Sequence, residues 1–188
     1  MKRIAIFASG EGSNAEAIVE KFAKNDNIQV SAVLSNRVGA KVHERMNRLG
    51  VPSITFDKQQ WTEATPIVEF LQEKKIDFII LAGFLAIIQP PIINAFKDKI
   101  INIHPSLLPK YGGGGMWGMN VHRAVLENNE EKTGITIHYV NADVDGGKII
   151  AQYECEVKKD DSPESLAERV HQLEYKYFPE VIEKLLLQ

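Results

Sequence analysis

Arg3-Ile4-Ala5-Ile6-Phe7-Ala8-Ser9-Gly10-Glu11-Gly12-Ser13-Asn14 is the stretch from which the rest of the chain is read. Residues 3–8 are an apolar run of strand length, the pattern of a parallel strand buried on both faces. A glycine-rich turn follows, then an amphipathic run over 15–22 in which Ala17, Ile18 and Phe22 are apolar. A strand, a tight turn and a helix N-terminus together offer free N–H groups and a helix dipole to an anion. The turn lacks the Lys-Ser/Thr of a nucleotide-binding loop and the third glycine of the dinucleotide fingerprint. Gly12-Ser13-Asn14 suits a single phosphate. It equally suits a capped strand-to-helix turn, with Ser13 or Asn14 as the cap. Both readings stand at this point.

Outward from this unit the pattern repeats. Apolar runs at 28–34, 53–56, 77–82 and 99–103 read as strands, and 40–49, 62–74 and 92–96 as helices. Ile67, Val68 and Leu71 form the stripe of the 62–74 helix, and Gly50 stops the 40–49 helix. Such alternation predicts an α/β fold with a mostly parallel sheet. Ligands of these sheets bind off the carboxyl ends of strands at the switch point, where loops 9–14 and 83–88 fall. Further on, 120–127 reads as a helix and 134–140 as a strand. Residues 148–157 read as a strand antiparallel to its neighbour, because the connection is short. Ser162-Pro163-Glu164 opens a last helix to about 187. No repeat or linker interrupts the chain, so residues 1–188 are expected to form one domain.

Composition narrows the function classes. The chain has 188 residues, 44% hydrophobic and 25% charged, with a net charge of −3. That balance suits a globular domain and gives no basic field to recruit nucleic acid. No apolar run approaches the roughly 18 residues a membrane span needs. The apolar start ends at Gly10-Glu11-Gly12 and reads as a strand, not a signal peptide. One cysteine, Cys155, permits no internal disulfide and reads as a small buried thiol, which suits a reducing cytosol. A cytoplasmic protein with no membrane or nucleic-acid partner is the expectation.

The chemistry concentrates in Asn102-Ile103-His104-Pro105-Ser106-Leu107-Leu108-Pro109. Residues two apart in a strand share a face, so Asn102 and His104 project together, and Pro105 ends the strand. An amide donor beside a titratable ring can hold a carbonyl oxygen and move a proton. The alternative is a strand-end turn with a satisfied histidine. Asp143 and Asp145 are the acids of the turn Asn141-Ala142-Asp143-Val144-Asp145-Gly146-Gly147, and a carboxylate can fix a histidine's tautomer. No Gly-x-Ser-x-Gly nucleophile elbow and no zinc-ligand spacing occurs. The expected chemistry is acid–base and oxyanion work without a metal. Gly83–Ile88 is unusually apolar for a loop: either a wall for a flat ring ligand or the start of a buried helix cut off by Pro90-Pro91. The glycines 112–115, flanked by Tyr111 and Trp117, form either a closing loop or a plain connection. His138 either faces the site or packs; His43, His171 and Glu174 read as surface groups.

At Asn102–Pro109 and Asp145-Gly146-Gly147 the sequence resembles the folate-dependent formyltransferases, over essentially the whole chain. The resemblance implies a Rossmann-like three-layer sandwich with an antiparallel strand near the C-terminus. It also implies direct formyl transfer, through a tetrahedral intermediate, from 10-formyltetrahydrofolate as co-substrate. The short chain, the Gly12-Ser13-Asn14 loop and Lys110-Tyr111 resemble the members that formylate the amine of 5′-phosphoribosylglycinamide in purine synthesis. In that likeness Asn102, His104 and Asp145 are catalytic. Gly12, Ser13 and Asn14 bind the phosphate, Glu174 the ribose hydroxyls, and His138 lies near the transfer site. Leu85, Ala86, Ile87 and Ile88, with Asn102 and Asn141, Ala142, Asp143, Val144 and Asp145, line the pterin pocket. Two departures stand out: Ala86 replaces the Arg of some relatives, and the glycine run replaces an expected Pro-Gly after Tyr111. Transfer to a sugar-nucleotide amine or to methionyl-tRNA, hydrolysis of formyl-folate, and a non-catalytic folate- or nucleotide-binding module are the competing readings.

Overall fold

The computed structural model describes residues 1–188. In chain order the elements are β1 (Lys2–Phe7), α1 (Ser13–Phe22), β2 (Ile28–Ser35), α2 (Val42–Leu49) and β3 (Ser53–Thr55). They continue with α3 (Lys58–Glu63), α4 (Thr65–Glu73), β4 (Phe78–Leu81), α5 (Pro90–Ala95) and β5 (Ile100–His104). The last are α6 (Met119–Glu127), β6 (Lys132–Tyr139), β7 (Ile149–Glu156) and α7 (Pro163–Leu186). One seven-stranded sheet runs β3-β2-β1-β4-β5-β6-β7. The first five strands are parallel, and β6 runs antiparallel to both β5 and β7. The expected α/β sheet with its antiparallel strand is therefore present, and the order reverses between β1 and β4.

Strand alternation splits the core into two layers. Ile4 and Ile6 point into a cluster with Ile18, Phe22, Met46, Phe178 and Ile182 of α1, α2 and α7. Ala5 and Phe7 point into a second cluster with Trp61, Ile67, Leu71 and Ile92 of α3, α4 and α5, and with Phe96 just past α5. Sequence period 2 thus becomes a three-layer sandwich. Ile101 and Ile103 of β5 and Ile135 and Ile137 of β6 join the first cluster. Their neighbours Asn102, His104, Thr136 and His138 point the other way, as the strand alternation at 102–104 predicts.

Several local readings are corrected. The helix expected over 62–74 is two helices, α3 and α4, broken at Ala64 in a left-handed conformation with φ 62°. Asp57 and Gln60 close a capping box ahead of α3, and Pro66 sits in the first turn of α4. The Asp-x-x-Gln spacing and the Pro are both start signals in the sequence. Pro90-Pro91 begin α5 instead of cutting short a helix, and residues 83–88 form none. His43 is no plain surface group: its ring bonds Ser53 Oγ at 2.9 Å and Thr55 Oγ1 at 2.9 Å, tying α2 to β3. Cys155 is half-buried, and its burial raises the thiol pKa.

Candidate active site

The phosphate-type loop is held open by its own backbone. Gly12, at φ 74°, is the N-cap of α1, and no side chain caps the helix. The cap expected at Ser13 or Asn14 is thus absent, because glycine in the left-handed region turns the chain before either side chain can reach back. A Cβ on Gly12 would lie 2.5 Å from Val42 Cγ2, so α2 packs directly on the turn. Val42 N–H donates to the Gly10 carbonyl at 3.1 Å. The first-turn N–H groups of α1 are left for a ligand.

Asn14 turns to α7, where its Nδ2 donates to Glu174 Oε2 at 2.7 Å. Its Oδ1 is buried with no partner. Glu174 is only 5% exposed, not a surface group, and burial raises its pKa against the lowering effects of Asn14 and His171. Its burial was hidden because the charge sits on a helix stripe otherwise marked by Leu166, Val170 and Leu173. His171 is half-buried beside it. His122 of α6 is buried too, with Nδ1 unpaired. Its pKa is pushed down to about 4 by burial and then by His171 and His104.

At the other end of the site, register sets the geometry. Asn102 is directly opposite His138 and His104 opposite Thr136 across the β5–β6 pair. Asn102 Nδ2 lies 3.1 Å from His138 Nε2. Asp145 lies between the two histidines, Oδ2 at 3.5 Å from His104 Nδ1 and Oδ1 at 3.7 Å from His138 Nε2. Its loop leaves β6 beside the start of β5, where Val140 N–H bonds the Ile100 carbonyl. The acid therefore arrives over the sheet face, not at the strand edge. The turn needs its glycine: a Cβ on Gly147 would lie 1.7 Å from the Tyr139 carbonyl oxygen. Asn141, Ala142, Asp143 and Val144 are exposed along the same loop. His138 is buried and lies against both Asn102 and Asp145.

The glycine loop is tied to both catalytic candidates. His104 Nε2 lies 2.6 Å from the Tyr111 carbonyl oxygen, and Gly113 N–H donates to Asp145 Oδ2 at 3.0 Å. A clasp anchors the loop start: Lys110 Nζ and Tyr111 O–H both reach Glu130, at 2.8 and 2.9 Å. Burial and then this bond push the Tyr111 hydroxyl up to about 12. Beneath it, buried Thr136 Oγ1 donates to the Ser106 carbonyl at 2.7 Å and accepts from Leu108 N–H and Gln152 Nε2, each at 2.9 Å. These supports were not legible, because they pair side chains with carbonyls that no spacing marks.

Ser9 joins three strand ends. Its hydroxyl donates to Asn36 Oδ1 at 2.7 Å and accepts from Leu85 N–H at 2.9 Å. Along the loop it supports, Leu85 and Ile87 are 44% and 71% exposed, and Val144 is 55% exposed. Ile88 and Val140 pack into the same cluster below, which joins the two apolar loops. Beside Ala86 and Ile87 opens a groove of about 360 Å³ with Arg37, Lys58 and Trp61 in its walls. Neither cation takes part in an ion pair. No group of three or more His, Cys, Asp and Glu side chains is disposed to hold a metal ion.

An amide, two imidazoles and a carboxylate on one sheet face, with an open helix N-terminus and apolar loops nearby, are groups that can hold an acyl oxygen and move a proton. The chain belongs to the formyl transferase family, whose model matches residues 2–182. It is 39% identical to the phosphoribosylglycinamide formyltransferase of Bacillus subtilis, over 99% of this chain and 95% of the relative. The chloroplastic enzyme of the same name from Arabidopsis thaliana is 37% identical over 96% of this chain, which spans 64% of that relative. Among solved structures, glycinamide ribonucleotide transformylase 1 from Symbiobacterium toebii superposes with a TM-score of 0.90 at 34% identity, over 99% of this chain and 88% of that one. Formyl-folate is the co-substrate of the family. No helix is long and apolar enough to cross a membrane.

Proposed function

We propose that the chain, as one domain over 1–188, moves the formyl group of 10-formyltetrahydrofolate onto the amine of 5′-phosphoribosylglycinamide. The observation that carries this is Asp145 set within 3.7 Å of His104 and His138, with Asn102 beside them. Asn102 holds the formyl oxygen as it becomes an oxyanion, and His104 joins it when its Nε2 turns from the Tyr111 carbonyl; one such donor is worth about 3–4 kcal/mol. The attacking amine forms the new C–N bond and gives up a proton. Asp145, paired with His104, receives it and returns it to the folate nitrogen as the old C–N bond breaks. Atoms and charge balance with no metal and no covalent enzyme intermediate.

The flanking subsites fit the two ligands. The uncapped start of α1 at Gly12, Ser13 and Asn14 takes the phosphate, and buried Glu174 takes the ribose hydroxyls. The exposed apolar side chains of Leu85, Ile87 and Val144, with the Asn141–Asp145 backbone, take the pterin ring. Arg37 and Lys58, in the groove beside Ala86, take the acidic tail of the folate in place of the arginine other relatives carry. Both substrates are small molecules, and the compartment this reading implies is the cytoplasm. The test follows absorbance on mixing with formyl-folate, with and without glycinamide ribonucleotide. Turnover that requires the amine is the expected result. Turnover with water alone, or binding without turnover, overturns the reading.

A further inference from the structure

An asparagine amide offers a donor at one end and an acceptor at the other, and a half-turn exchanges them. An oxyanion needs the donor. Something must therefore fix the amide of Asn102, and the side chain that touches it is His138, at 3.1 Å. The histidine is itself fixed. Its Nδ1 lies 2.8 Å from the Tyr139 carbonyl oxygen, which can only accept, so Nδ1 carries the proton. A neutral ring has one proton, and Nε2 is left as a lone pair. That lone pair accepts from Asn102 Nδ2–H and rejects Oδ1.

The other groups facing the ring are Asp145, with Oδ1 at 3.7 Å from Nε2, and His104. Asp145 favours a second proton on the ring. Burial opposes it: His138 is 1% exposed, and desolvation lowers its pKa against the raising effects of Tyr139 and Asp145. The cross-strand register that places Asn102 against His138 makes the contact a property of the fold.

We propose that His138 is a positioning residue: the Tyr139 carbonyl fixes its tautomer, its Nε2 fixes the Asn102 amide, and the second Asn102 N–H is left to the oxyanion. This rests on the formyl-transfer reading above. The test is a double-mutant cycle of His138→Leu with Asn102→Ala, with His138→Gln as a variant whose side-chain carbonyl still accepts. Loss of one oxyanion donor sets the scale, so His138→Leu lowers kcat about 100-fold. KM for both substrates stays within about threefold, because ground-state binding is untouched. His138→Gln recovers to within about tenfold of the unaltered protein, and His138→Leu has no further effect in the Asn102→Ala background. Effects that multiply, or a Gln variant as slow as the Leu variant, overturn the proposal. A readout without turnover is the 15N shift pattern of the His138 ring near pH 7. Protonated Nδ1 and bare Nε2 support the proposal, and a proton on Nε2 overturns it. An unaltered protein that fails to formylate the amine counts against the function, while the ring's tautomer still decides this inference.

Discussion

The sheet has two halves built on different terms. In β1, β2 and β4 both faces are apolar and helices cover each: Ile4 and Ile6 below, Ala5 and Phe7 above. In β5 and β6 one face is as apolar, with Ile101, Ile103, Ile135 and Ile137. The other carries Asn102, His104, Thr136 and His138, and loops lie over it. Parallel neighbours need crossover helices, which bury both faces. An antiparallel neighbour removes that need and leaves one face to loops. Loops bring N–H and C=O groups, such as those of Tyr111 and Gly113, which polar side chains require. The chemistry lies where the strand direction changes.

If that contrast holds, substitutions in the two halves separate catalysis from stability. Asp145→Asn is the largest expected effect: kcat falls about 10² to 10⁴-fold with little change in melting temperature. Near-normal turnover removes Asp145 from the mechanism. In the other half, Ile80→Ala, fully buried, costs about 2–5 kcal/mol in denaturant unfolding and leaves kcat per folded molecule unchanged. A drop in kcat as large as that of Asp145→Asn breaks the division.

A third expectation concerns pH. An exposed histidine protonates near 6.5, whereas His122 stays neutral in the fold down to about 4. In that window the unfolded chain binds a proton the folded chain refuses, so stability falls as pH drops from 6.5 towards 4. The loss is at most about 3 kcal/mol. Melting curves across that range should show it, and His122→Leu should flatten it. A slope unchanged in that variant rules the residue out. Thr136→Val sharpens the contrast from the polar side. It leaves Leu108 N–H and the Ser106 carbonyl without their partner, costing about 1–3 kcal/mol. Unlike Ile80→Ala it also lowers kcat, since the stretch after His104 loosens; unaltered kcat would place the network in the structural half. The smallest effect is in the groove. Arg37→Ala with Lys58→Ala raises KM for formyl-folate by about tenfold and leaves kcat intact; no change in KM assigns the tail elsewhere.

Much of this was legible in the sequence, for physical reasons. Strands buried on both faces write themselves as apolar runs, as at 4–8 and 78–82, while 28–34 is interrupted by Gln29 and Ser31 and reads as a strand from its β-branched residues. Asn102 and His104 were readable because strand alternation is local. What joins them to Asp145 is not local. The acid arrives over the sheet face through a glycine turn whose path depends on Gly147 meeting the Tyr139 carbonyl. Glu174 reads as a surface group yet is buried, because a buried carboxylate and an exposed one look alike on a helix. The break at Ala64 is obscured although Asp57-x-x-Gln60 and Thr65-Pro66 both signal helix starts. The hydrophobic stripe ran past them.

The bond between Asn14 and Glu174 spans 160 residues and joins the first helix along the chain to the last. The backbone pairs of β1, β2, β4 and β5 are with one another, so most of the sheet can pair before α7 covers it. The contact between Asn14 and Glu174 cannot form that way. A chain emerging in synthesis order holds Asn102, His104 and Asp145 before it holds the partner of Asn14. Competence comes with the docking of α7, the contact with the longest loop to close and so the slowest to gain by chance. Assembly thus ends where the first helix meets the last.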